Sequence, residues 1–114
     1  MLAYARNTDT LVEDSTAGTG TVTVGTDGGT DPQKHSQHRF LIEADSGSPA
    51  VAVEGSIDGT FWIEIQGSLS SGDGHLVAEP WAHLRCTWAS GGGGVNLTIY
   101  CEQISPVVGA SGVV

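Results

Sequence analysis

Two stretches of the chain spell the same strand–loop–strand unit. Phe40, Ile42, Ala44, Ser46 and Gly47 align without a gap on Leu84, Cys86, Trp88, Ser90 and Gly91, and Val51 and Val53 continue onto Val95 and Leu97. In each copy an alternating segment runs into a Ser-Gly loop and resumes as a second alternating segment. Period-2 alternation marks a strand with one buried face, so both copies predict antiparallel hairpins lying on a shared core. That organisation belongs to β-sandwiches and barrels.

Alternation also runs through residues 21–24, 37–44, 50–56, 60–66, 74–79, 82–88 and 95–103, with a short edge strand expected at residues 2–6. About eight short strands at this spacing predict an all-β fold: an antiparallel two-sheet β-sandwich, jelly-roll-like. Residues 17–104 form the sandwich, residues 1–16 read as an N-terminal arm and residues 105–114 as a C-terminal tail. The expected inner face comprises Val22, Val24, Phe40, Ile42, Val51, Val53, Phe61, Ile63, Ile65, Leu76, Leu84, Cys86, Leu97 and Ile99.

The middle hairpin can be placed by parity. A two-residue Asp58-Gly59 turn would set Val53 opposite Glu64. A three-residue loop, Ile57-Asp58-Gly59 with Gly59 left-handed, instead sets Val53 opposite Ile63 and Gly55 opposite Phe61. Trp62 then falls on the polar parity of its strand, beside Glu54, Ser56 and Glu64.

With 114 residues the chain is long enough for one modest core. Its 17 glycines and abundance of Thr, Ser and Val describe a β-protein with many turns. A formal net charge of −9 repels phosphate backbones and anionic bilayers, so neither nucleic acid nor membrane is an expected partner. No targeting signal and no apolar run of roughly 20 residues stands in the sequence, so synthesis in a cytoplasm is the default. In a hairpin with Trp88 opposite Val95, Cys86 would face Leu97 and Cys101 would face Ala82. The sulfurs would then lie roughly 14 Å apart along the ladder, too far for a bridge. Both read as buried free thiols.

Motifs for chemistry are sparse. His35 and His38 lack a third ligand at a familiar spacing and read as solvated loop and strand-face histidines. Asp27 to Asp31 lacks the further carboxylates of a calcium loop. The Gly91 to Gly94 run joins two strands, so no helix N-terminus makes it a phosphate cradle. No nucleophile elbow or zincin helix is present. No enzymatic activity, metal or cofactor is expected. Trp88 reads as core and Trp81, after Pro80, as a plug at the start of its strand. Trp62 alone has the parity of a contact residue, for sugar or for protein.

The run from Val51 to Trp62, the preceding His38-Arg39-Phe40-Leu41-Ile42 and the later Leu84-Arg85-Cys86-Thr87-Trp88 resemble small virion proteins of tailed bacteriophages over residues 19–103. The resemblance implies a structural virion role. The leading form is a capsid decoration (cement) protein, whose partners are a major capsid or other virion protein and copies of itself. A tail or fibre component with a carbohydrate-binding host-recognition surface is the alternative. The terminal segments have little apolar surface to offset their ordering entropy. Leu2, Tyr4, Val107 and Val108, with Trp62, are therefore the expected contacts of a homo-oligomer, and the phage resemblance points to a trimer. Dialysis against a chelator is expected to leave the melting temperature unchanged; a marked drop would revive a metal site at His35 and His38.

Overall fold

The computed structural model describes residues 4–25, 37–45, 49–89 and 96–106. Within them run eight strands: β1 (Tyr4–Ser15), β2 (Thr19–Thr23), β3 (Gln37–Ala44), β4 (Ala50–Ser56), β5 (Ile63–Leu69), β6 (Gly74–Val77), β7 (His83–Ala89) and β8 (Leu97–Pro106). They form two antiparallel four-stranded sheets, ordered β1-β8-β3-β6 and β2-β7-β4-β5. Only β4 and β5 are consecutive strands paired in one sheet; every other connection crosses between sheets. This order is that of a jelly roll, the fold expected from the alternating runs.

The repeat has a different geometry from the hairpins predicted for it. β3 and β4 lie in opposite sheets, as do β7 and β8, so each copy is an arch spanning the core. The copies pair with each other instead: Phe40 opposes Cys101 and Ile42 opposes Ile99, while Val51 opposes Trp88 and Val53 opposes Cys86. Alternation could not separate arch from hairpin, because both turn the same residues toward one core. The cysteine register changes with it. Cys86 stands beside Val22 and Val53, and Cys101 beside Asp9 and Phe40. Both are buried free thiols. Burial, then the charges of Cys101 and Glu54, pushes the Cys86 thiol up, and burial with Asp9 and Glu102 pushes Cys101 up to about 12. Neither thiol ionises near neutrality, so both pack as small hydrophobes.

Most of the expected inner face is buried: Val22, Val24, Phe40, Ile42, Val51, Val53, Leu84, Cys86, Leu97 and Ile99, joined by Leu11, Leu69, Val77, Trp88, Cys101 and Ile104. Four positions depart from it. Phe61 and Ile63 are 78% and 57% exposed, Ile65 is only half-buried, and Leu76 faces out in place of Val77. On β6 the register decides: Leu76 opposes exposed Arg39, and Val77 opposes buried His38. On β5 the loop is wider than a three-residue turn, for Gly55 opposes Ile63, not Phe61. Two register shifts follow between Val51 and Glu54, and from this strand Leu69 is buried in the core while Ile65 packs partly against it. The space inside Gly55 is filled by Trp81, whose ring lies 2.5 Å from where a Cβ would stand.

The N-terminal segment is no arm. Tyr4 to Thr10 pair residue by residue with Pro106 to Tyr100, and a register shift at Leu11 turns that side chain into the core. β1 therefore needs no neighbouring subunit to become a strand. Nor is His38 a solvated histidine: it is buried opposite Gln103, itself buried with its Nε2 donating to Asp9 Oδ2 at 3.3 Å.

Leu84→Ala is expected to cost about 2–5 kcal/mol in urea unfolding, and Ile63→Ala to stay within about 0.5 kcal/mol of the wild type. Equal losses at the two positions would return Ile63 to the core.

Candidate functional site

The turn joining β4 to β5 gathers the sandwich's most exposed large apolar side chains, Ile57 at 80% and Phe61 at 78%, with Ile63 behind them. A short acidic side chain before Gly can cap such a turn by accepting from backbone N–H groups. Asp58 does so: its Oδ1 accepts from Thr60 N at 2.8 Å, Phe61 N at 2.9 Å and Ser56 Oγ at 3.1 Å. Buried Ser56 closes the loop by accepting from Gly59 N at 2.8 Å. Gly59 takes φ +80°, the left-handed conformation expected of it. The bonds from Phe61 and Thr60, ahead of that from Ser56, hold the Asp58 carboxyl below its ordinary value of 3.8.

Trp62 anchors the other end of the turn. The Arg85 guanidinium of β7 lies 4.2 Å from the indole centroid. Arg85 Nε donates to Glu54 Oε1 at 2.6 Å, and Glu54 is its ladder partner. His83 meets the indole edge at 6.5 Å between centroids. Half-buried, with a cation over one face, Trp62 buttresses the turn; a cation–π contact of this kind is worth about 0.5–2 kcal/mol. That leaves the opposite face of the ring for any stacking partner.

Two other surfaces carry chemistry. Glu13, Asp14, Glu43 and Asp45 line a polar depression of about 170 Å³ with Thr98 and Tyr100. Glu43, then burial, then Glu13 and Asp14 push the Tyr100 phenol up. Among the described residues no group of three or more His, Cys, Asp or Glu side chains is placed to hold a metal ion. On the outer face of the β1-β8-β3-β6 sheet, Leu41, Tyr100 and Thr8 line a mostly apolar depression of about 240 Å³, rimmed by Arg39 paired to Glu102 at 3.2 Å.

Of the contact residues expected from sequence, Trp62 is the one placed beside this turn. Tyr4 starts β1 opposite Pro106. Leu2, Val107 and Val108 lie outside the described residues, as do His35 and the Asp27 to Asp31 and Gly91 to Gly94 segments. Ile57 and Phe61 were missed as contacts because Phe61 was assigned to the core. The Ser56-Ile57-Asp58-Gly59 spacing, a capped turn rather than a tight hairpin, is the signal that would have found them.

No family model matches the chain, and no curated protein matches it in sequence. Among solved structures, the YomS protein derived from the SPBc2 prophage superposes with a TM-score of 0.65 at 10% identity, over 92% of this chain and 97% of that one. The mitogen of Yersinia pseudotuberculosis superposes with a TM-score of 0.53 at 10% identity, over 90% and 86%. The chain thus shares its all-β fold with a prophage-derived protein. No helix among the described residues is long and apolar enough to cross a membrane.

Protonating Asp58 removes an acceptor held below its ordinary pKa, so the turn's order is complete above pH 3.8 and is lost as pH falls through the lower folded value. The Phe61 amide resonance is expected to titrate with a midpoint below 3.8, and Asp58→Ala to abolish that titration. A midpoint above 3.8 would contradict the cap.

Proposed function

We propose that this chain is a non-enzymatic virion structural protein of a tailed bacteriophage, a capsid decoration protein that stabilises the head through subunit contacts. The observation that carries the reading is the β4–β5 turn, where a cap of four hydrogen bonds holds Ile57 and Phe61 outside the core. A rigid, exposed apolar side chain loses little entropy on docking, which is what a protein that works by burying surface needs. The prophage origin of YomS, a protein of the same fold, supports the phage setting. So does the resemblance of residues 19–103 to small virion proteins. The partners are then a major capsid protein and copies of this chain, met in a virion assembled in the host cytoplasm. Bound to the shell and not to the separated subunits, such a protein stabilises the head by mass action.

The fold itself does not choose the role, for the Yersinia mitogen has it too. A tail or fibre module recognising host sugar is the competing reading, with the face of Trp62 opposite Arg85 as its stacking surface.

Mixing the purified protein with capsids lacking it, then with host polysaccharide, separates the two. Saturable capsid binding, weakened at least about tenfold by Phe61→Ser (about 1.4 kcal/mol), is expected, with no glycan binding. Glycan binding without capsid binding would move the protein to the tail.

A further inference from the structure

We propose that His83 is the positioning residue of the exposed turn: its imidazole, set between Gly59 and Trp62, fixes the pose in which Ile57 and Phe61 meet a partner. The inference rests on the reading of that turn as a docking surface. Its first test needs no partner, so a loose turn and an unused turn give different results.

The ladder puts His83 beneath the turn. β4 and β7 pair without a register shift from Ala50 and Ala89 to Ser56 and His83, so His83 stands across from Ser56 and Arg85 across from Glu54. Directly opposed side chains share one face of a sheet. Here it is the outer face, because Leu84 and Cys86 on either side of Arg85 turn into the core. Ser56 Oγ accepts from Gly59 N at 2.8 Å, which draws Gly59 back over this end of the ladder. His83 fills the space left there. Its Nε2 lies 3.3 Å from where a Gly59 Cβ would stand, with Cδ2 and Cε1 both at 3.5 Å. The Nε2 apex of the ring therefore points at the Gly59 α-carbon. The same imidazole meets Trp62 edge-on, at 62° between planes.

The cap leaves one freedom that His83 removes. Its four hydrogen bonds all join groups between Ser56 and Phe61, so they set the shape of the turn and not its tilt against the sheet. The tilt is set by two side chains of β7. Arg85, tied to Glu54, covers one face of Trp62, and His83 props both Trp62 and Gly59. Gly59 is then required twice over: for its φ of +80°, and because a methyl group would press on the imidazole. Holding the turn in its bound pose before contact lowers the entropy cost of docking.

Residual dipolar couplings of backbone N–H groups test the hold. In the wild type, the couplings of residues 57–61 are expected to fit the same alignment as the β4–β7 ladder. In His83→Ala they should shrink and leave that common fit, while the ladder couplings stay unchanged. Couplings of the turn that still fit the ladder overturn the proposal. His83→Gln, which reaches as far without a ring, is read in the same way should His83→Ala not fold. Capsid binding then tests the route of action. His83→Ala should weaken it, and His83→Ala with Phe61→Ser should bind no more weakly than Phe61→Ser alone, because His83 acts through the turn. Additive losses overturn that route. If Phe61→Ser leaves capsid binding intact, the docking role of the turn falls, and the couplings still decide whether His83 holds it.

Discussion

The antiparallel pairing of β3 with β8 and of β4 with β7 holds the molecule together, because each pair joins a strand from one repeat to a strand from the other. Phe40, Ile42, Val51, Val53, Leu84, Cys86, Leu97 and Ile99 all come from these four strands, and all are 0% exposed. Burying a large aliphatic or aromatic side chain contributes about 1.5–3 kcal/mol, and no single arch can bury its own. Each needs the other as the opposite wall. The outer strands then extend what the arches begin: β6 and β2 flank β3 and β7, while β1 and β5 flank β8 and β4.

That symmetry of roles breaks at β5, and function begins there. β1 brings Leu11 inward at a register shift, and Ile99 and Cys101 lie beside it on β8. β5 sends in Leu69 and leaves Ile63 outside, because Trp81 already occupies the inner side of Gly55. With the core closed by an indole, the chain from Ile57 to Trp62 is released from packing. A carboxylate cap and the Arg85 guanidinium shape it instead. A polar cap is well suited to this, since it orders the backbone without covering the side chains it displays.

Charge sets the terms on which such a surface can be used. Among the described residues with placed side chains, Arg39 and Arg85 are the cations, one on the outer face of each sheet, and each pairs with a carboxylate. Arg85 is spent on Glu54 and Trp62. Arg39, half exposed, shares the edge of an apolar depression with its partner Glu102.

Alternation in the sequence was enough to determine an all-β sandwich, the strands β2, β3, β4, β7 and β8 and their buried faces. A strand with one apolar side buries that side whatever its partner. It was also enough to mark Gly59 as left-handed, since a turn there needs a residue without a Cβ penalty. Which strands pair is a different matter. Hairpin and arch present identical alternation, so the placement of Cys86 and Cys101 in opposite sheets was decided by tertiary structure. The same holds for twelve-residue β1, whose pattern of Asn, Thr and acidic residues carries almost no apolar signal; its order comes from the β8 ladder it completes. Phe61 shows the limit most sharply. Its identity says core, and only the space already filled by Trp81 and the hydrogen bonds collected by Asp58 place it outside.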